Sequence, residues 1–108
     1  MATLYEVLYT GRGASLGTLY VGNGVVAGFD IFGGHYKGNY SEQGGRIRGT
    51  ATLSMPQGGT LVTGQSIPAG QSVPVNFDWP DNLGGGQPLE LQIMGQQVRV
   101  SFHKMIEF

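Results

Sequence analysis

Residues 46–55 read RIRGTATLSM, in which polar and apolar or small residues alternate without interruption. Ile47 and Leu53 fall in one phase of this pattern, and Arg46 and Arg48 fall in the other. Because successive side chains of a β-strand point to opposite faces, the alternation predicts a strand with one buried face and one exposed face.

The same period of two recurs along the chain, and no segment shows a helical period. We predict strands near residues 3–10, 15–21, 25–32, 35–42, 46–55, 60–66, 71–79, 88–94 and 97–107, of which 60–66 has the weakest pattern. In a chain of 108 residues the apolar faces must close on one another. The sequence therefore predicts one all-β domain over residues 1–108, a small antiparallel eight-stranded up-and-down barrel with at most one short helix.

Glycine supplies the turns of this barrel, because the 20 glycines recur about every ten residues, as in a meander of short strands. The run Gly22-Asn23-Gly24 predicts a tight hairpin, since asparagine and glycine accept positive φ. Gly95-Gln96 predicts a second hairpin turn, and 81–87 is read as a flexible loop.

Other glycines fall inside predicted strands, at positions 17, 28, 38 and 49. Sharp coiling of a closing sheet explains them, and a lined cavity is the alternative. Pro74 lies within a strand and cannot donate to a ladder, so it marks an edge or a bulge.

Composition narrows the function classes. Without cysteine there can be no disulfide, thiolate metal site or cysteine nucleophile. A net charge of -1 and a charged fraction of 12% argue against direct nucleic-acid binding. The first residues lack a secretory signal pattern, and no run is long enough to span a membrane, so we expect the cytoplasm and no membrane partner.

The strongest catalytic constellation is Asp30, His35 and Tyr36, but no serine elbow accompanies it. Asp30 is better explained as a cap for backbone donors in the following glycine turn. His35 and His103 are isolated, which makes a poor metal site. Arg46 and Arg48 could hold an anion, although a solvated face is the simpler interpretation. We predict no enzyme, no metal and no cofactor.

Two strands, 4–9 and 25–32, carry apolar side chains in both phases. A small barrel has one interior, so the outer apolar side predicts an interface, most simply with a second copy of the chain.

The expected interior is filled by large side chains, with Phe29, Phe77, Trp79 and Phe102 pointing inward. The alternative is a carrier or sensor of a small apolar ligand, held in the barrel and lined by Tyr36, Tyr40 and Trp79.

The run GTLYVGNGVVAGFD (residues 17–30), followed by YKGNYS (residues 36–41), resembles the signature of the GrlR-type regulators. Residues 98–107 also resemble the last strand of that family. The resemblance implies a lipocalin-like barrel in a dimer that represses a type III secretion locus by sequestering a transcriptional activator.

In that family an acidic Glu-Asp-Glu-Asp run follows the serine and contributes to activator binding. The matching stretch here is EQGG, which keeps only Glu42 and adds a glycine turn. The resemblance thus implies partner binding through Ser41, Glu42 and Gln43. The fold and the dimer of the family carry over to this chain more directly than the identity of the partner does.

Overall fold

The computed structural model describes residues 2–108 and contains only strands and connecting turns over that range. The ten strands are β1 (Ala2–Thr10), β2 (Ala14–Gly22), β3 (Val25–Asp30), β4 (His35–Gln43), β5 (Arg46–Ser54), β6 (Gly59–Thr60), β7 (Ser66–Ile67), β8 (Ser72–Pro80), β9 (Leu89–Ile93) and β10 (Gln96–Glu107). Within residues 2–108 no helix is long and apolar enough to cross a membrane.

Eight of these strands form one antiparallel sheet in the order β8-β5-β4-β3-β2-β1-β10-β9. Most strands pair with a neighbour in sequence, β5 pairs with β8 past the short strands β6 and β7, and the ladder between β1 and β10 joins the first strand to the last. The sheet is therefore a nearly closed up-and-down barrel, as predicted. Its one open seam lies between β8 and β9, where the indole Nε1 of Trp79 donates to the carbonyl oxygen of Glu90 at 2.9 Å.

Two-residue turns join several strands. Asn23 and Gly24 have φ of 54° and 77° between β2 and β3, which confirms the predicted hairpin. The predicted turn at Gly95-Gln96 is wrong by one residue, because Met94 and Gly95 take the positive φ values, 52° and 79°. The preceding strand ends at Ile93, and its register against β10 places the unpaired positions at 94 and 95.

The buried faces follow the predicted phase. Ile47, Leu53, Val75, Leu91 and Val100 all point inward and pack in one cluster. Aromatic rings fill the centre, where Phe77 stacks on Trp79 with centroids 5.1 Å apart and Phe102 meets Trp79 edge-on at 5.3 Å. This aromatic cluster accounts for three of the four large side chains expected inside.

The fourth, Phe29, was placed on the wrong face. Its side chain is 58% exposed and lies on the outer face of β3, whereas Val26 of the same strand is buried on the inner face. Strand phase decides its position, because Val26 points inward and a residue three positions later must point outward. β3 also ends at Asp30, so Ile31 and Phe32 lie in the following turn and not in a strand.

The predicted strand 60–66 is also wrong. Residues 59–60 and 66–67 instead form a separate two-stranded ribbon around a turn. This segment precedes β8, and it buries Leu61 and Ile67 against the core at that end of the barrel. The loop 81–88 follows β8 and buries Leu83 at the other end. Both ends of the barrel are therefore covered by side chains.

The glycines inside strands allow close strand approach. A Cβ atom at Gly28 would collide with the carbonyl oxygen of Thr18 on β2, and one at Gly38 would collide with that of Thr50 on β5. These positions support the coiling explanation, since a side chain there would displace neighbouring backbone.

Candidate functional site

Asp30 is a buried carboxylate at the end of β3. Its Oδ1 accepts hydrogen bonds from the backbone N–H groups of Phe32 (3.0 Å) and Gly34 (2.9 Å), and its Oδ2 accepts one from the hydroxyl of Tyr36 (3.0 Å). The predicted capping role is thus confirmed. Asp30 stabilises the turn into β4, and both of its carboxylate oxygens accept hydrogen bonds there.

Two tyrosines extend this network into the barrel. Tyr9 of β1 stacks on Tyr36 of β4 with ring centroids 5.4 Å apart and an interplanar angle of 11°. Burial raises the pKa of both phenols, and the nearby Asp30 carboxylate raises them further. Both phenols therefore stay protonated at neutral pH, and the hydroxyl of Tyr36 donates to Asp30.

His35 does not join Asp30, although the two are close in sequence. It is exposed at the start of β4, in the phase opposite to the buried Tyr36. No ion pair between His35 and Asp30 is present among residues 2–108. Over the same range no three histidine, aspartate or glutamate side chains are grouped closely enough to share a metal ion.

The barrel interior holds a cavity of about 30 Å³. Tyr36 and Trp79 line it, together with Leu83 from the covering loop, whereas Tyr40 does not. A ligand site usually measures ~300–1,000 Å³, so this space is an order of magnitude too small for a drug-sized apolar molecule.

Ser41, Glu42 and Gln43 form the last part of β4 and lead into the Gly44-Gly45 turn. Ser41, Glu42 and Gln43 are all exposed. Glu42 pairs with Ile47 across the ladder, so it lies in the inward phase at the rim of the barrel. The three residues are contiguous and accessible, as a contact with a partner at the rim of the barrel would require.

The arginines of β5 already hold an anion belonging to the chain. Arg46 Nε lies 2.8 Å from Oδ1 of Asp78, and Arg48 Nε lies 3.2 Å from Oδ2. The hydrogen bond from Arg46 and the charge of both guanidinium groups lower the pKa of Asp78. All three side chains are exposed, and the single carboxylate offsets one of the two arginine charges.

An extended apolar surface lies outside the barrel, on β1, β2, β3 and the end of β10. We call it the apolar outer face, and it consists of Leu4, Leu8, Leu16, Tyr20, Val25, Ala27, Phe29 and Ile106. The ladders make it continuous: Leu8 lies opposite Leu16, and Leu4 lies between Tyr20 and Ile106. Phe29 and Leu4 border a shallow depression of about 470 Å³ on this face.

The sequence indicated only part of this face. Its residues on β1 and β3 were expected from two strands with apolar residues in both phases, whereas Leu16, Tyr20 and Ile106 were missed. A signal was present in β2, where Leu16 and Tyr20 alternate with Leu19 and so place apolar groups in both phases. Ile106 gave no such signal, because a bulge in the β1–β10 ladder between Leu4 and Tyr5 changes the register there.

No family model, curated protein or solved structure matches the chain.

Proposed function

We propose that this protein is a non-enzymatic, protein-binding regulator of the GrlR type, which acts in the cytoplasm as a homodimer and sequesters a transcriptional activator of a secretion locus. The apolar outer face carries the proposal. Contiguous exposed apolar surface of this kind is typical of protein–protein interfaces and unusual for a surface that stays in water.

A second copy of the chain is the occupant that the face fits best. Glu6 is the one charged residue that points outward from β1, β2 and β3, and Lys37 borders the face beside Ala27. In a two-fold interface each patch meets its own copy, so Glu6 of one protomer can pair with Lys37 of the other. The apolar side chains would then be removed from water in both protomers.

The oligomeric state in light scattering tests this proposal. At about 10–50 µM, a range in which weak specific interfaces form, the unmodified protein should have twice the chain's mass of 11.5 kDa. The double variant Leu8→Lys with Leu16→Lys should be a folded monomer, because it places four lysines in the interface of each dimer.

A matched control carries the same added charge on the other side of the barrel. Thr52→Lys with Gln92→Lys changes two exposed positions on β5 and β9, and it should remain a dimer. An unmodified protein that is already monomeric at these concentrations would contradict the proposal. So would a Leu8 and Leu16 double variant that stays dimeric.

The regulatory part of the proposal is tested with a transcription factor recovered from the native host. Glu42→Ala should weaken its binding by about 1.5- to 5-fold, with a loss that shrinks at high salt, because an exposed carboxylate contributes modestly. Glu107→Ala removes another exposed carboxylate, far along the sequence on β10, and should have no effect. Equal binding by all three proteins would exclude a contact through Glu42.

The carrier function has weaker support, because the interior cavity is about 30 Å³ and both barrel ends are covered. A carrier would show a shift of Trp79 fluorescence on addition of a fatty acid, since this indole lines the cavity. We expect no shift.

A further inference from the structure

A polar depression of about 330 Å³ lies where the end of β1 meets β9 and β10. Its lining includes Thr10, Arg12, Thr63, Glu90, Gln96 and Arg99. Most of these groups are hydrogen-bond donors, and none belongs to the apolar outer face. The depression is therefore a separate surface with different chemistry.

The charges of the chain single out this depression. Three of the six cationic side chains form ion pairs with carboxylates of the chain: Arg46, Arg48 and Lys104. The other three form no ion pair with any residue between 2 and 108: Arg12, Lys37 and Arg99. Two of these unpaired cations, both arginines, line the same depression, and the third lies elsewhere on β4.

Arg12 is held in place by contacts with a distant part of the chain. Its backbone N–H and that of Gly13 both donate to the carbonyl oxygen of Val62, at 2.8 and 3.1 Å. Its side-chain Cδ lies 3.1 Å from the point that a Cβ atom on Gly64 would occupy. The loop is thus fixed against the 61–64 turn by its backbone hydrogen bonds, and the arginine stem lies beside Gly64, so less backbone entropy is lost when the guanidinium binds a ligand.

Arg99 is mounted on a strand that is paired on both sides. It lies opposite Thr10 of β1 and opposite Glu90 of β9. Sites built on paired strands hold their side chains more accurately than sites on free loops. Both arginines therefore start from backbone positions that the fold determines.

We propose that Arg12 and Arg99 form a binding site for a small phosphate-bearing anion. A guanidinium presents a planar fork of N–H donors that matches phosphate oxygens, and two of them can share one anion. The chain itself contains a parallel, because Arg46 and Arg48 share the carboxylate of Asp78. Around Arg12 and Arg99 no carboxylate of residues 2–108 takes that place, so the anion must come from outside.

Glu90 is the one acidic side chain in the lining, and it opposes anion binding. Its carboxylate accepts a hydrogen bond from the amide of Gln97 and forms an ion pair with neither arginine. This arrangement leaves the guanidinium groups free while limiting the affinity. The expected site is weak and specific for a doubly charged anion.

Titration with inorganic phosphate at constant ionic strength tests the site. Amide NMR signals of residues 10–12, 63, 96 and 99 should shift with a dissociation constant of about 1–10 mM. Acetate, a singly charged carboxylate, should bind at least several-fold more weakly, which separates a phosphate site from a general carboxylate site. Glu90→Gln should tighten phosphate binding by about 1.5- to 5-fold, because it removes the opposing charge.

The double variant Arg12→Gln with Arg99→Gln should lose these shifts, and Lys37→Gln, which removes the unpaired cation outside the depression, should keep them. Arg12→Gln alone changes only a loop residue, so it tests the site even if the double variant unfolds. The Leu8 and Leu16 lysine variant should bind phosphate as the unmodified protein does, which makes the result independent of dimer formation. Absence of shifts at 10-fold above the expected dissociation constant, about 100 mM phosphate, would overturn the proposal. So would equal shifts in the arginine variants.

Discussion

The outward side of β1, β2 and β3 and the outward side of β4, β5 and β8 belong to the same sheet but differ in chemistry. The first carries Leu8, Leu16 and Phe29, whereas the second carries threonine, asparagine and charged residues such as Thr50 and Asn76. Their inward sides are alike, because both are apolar and both pack into one core. The inward phase is constrained by folding and the outward phase is free to differ, so the proposed association through the apolar outer face can be tested separately from stability.

The polar side also satisfies its own groups, which the apolar side cannot do. The hydroxyl of Thr50 lies 2.7 Å from the side-chain oxygen of Asn76, and Asp78 is paired with two arginines. These contacts cross between β5 and β8 and need no partner molecule. The leucines opposite each other on β1 and β2 can be removed from water only by another molecule.

The largest expected effect on stability is the difference between replacing a leucine that points inward and replacing one that points outward. Leu53→Ala should lower the free energy of unfolding by about 2–5 kcal/mol, because Leu53 is fully buried and its removal leaves a cavity. Leu16→Ala should change the unfolding of the monomer by less than about 0.5 kcal/mol, because the side chain is exposed. Urea unfolding at protein concentrations below the range in which the proposed dimer forms measures both free-energy changes. A large loss in the second variant would show that the apolar outer face stabilises the monomer.

A smaller effect is expected at the seam of the barrel. Trp79→Phe keeps a ring between Phe77 and Phe102 but removes the N–H that reaches the carbonyl oxygen of Glu90. The loss should be about 0.5–1.5 kcal/mol, the usual net contribution of one hydrogen bond, because the acceptor belongs to an exposed residue and can bond to water instead. Hydrogen exchange should increase in β9 more than in β1, since β9 has a ladder on one side only. Uniform exchange across the sheet would contradict a local role of this bond.

The stacked rings of Tyr9 and Tyr36 connect β1 to β4 inside the barrel. Their raised pKa values predict a response to high pH. Their raised pKa values mean that the folded state keeps both protons while the unfolded phenols ionise near pH 10. Stability should therefore be intact below about pH 10 and fall as the pH rises further. Tyr36→Phe should reduce this slope by up to about 1.4 kcal/mol per pH unit, the value for one proton. Unfolding curves between pH 9 and about 11.5 measure it, and an unchanged slope would refute the assignment.

The smallest effect is expected on the polar side. Asp78→Asn removes a carboxylate whose pKa is lowered by the hydrogen bond from Arg46. A lowered pKa stabilises the folded state above the ordinary value of 3.8 and loses that contribution as the pH falls through the lowered pKa. The variant should be slightly less stable than the unmodified protein at pH 7, and the two should converge in strong acid. The pair is exposed, so added salt should shrink the difference at pH 7.

Most of the fold could be predicted because the alternation within each strand shows which of its residues face inward. The alternation in 46–54 and 72–80 gave both the strands and their inward residues, and Asn23-Gly24 gave the hairpin. Phe29 was missed because its size suggested the core, although its phase against Val26 pointed outward. The ribbon between β5 and β8 was missed because two-residue strands are too short to carry a period.

Sequence patterns predicted less of the candidate sites. Asp30 was assigned correctly because an aspartate before a glycine turn is a local signal. Arg12 and Arg99 share a depression only because the fold brings the 11–13 loop to the last strand, and no local pattern encodes that contact. Arg46 and Arg48 lie two apart and so suggested an anion site, but Asp78, 30 residues beyond Arg48, already forms ion pairs with both.

The open seam between β8 and β9 has a consequence for aggregation. An unpaired strand edge can recruit a strand from another molecule and begin the growth of a fibril. Here the two unpaired edges flank a depression of about 600 Å³ and are linked by the hydrogen bond from Trp79 to the carbonyl oxygen of Glu90. Pro74 and Pro80 also lie on β8 and deprive it of two N–H donors. The prolines and the Trp79 hydrogen bond therefore leave fewer free backbone groups at the seam with which a neighbouring chain could pair.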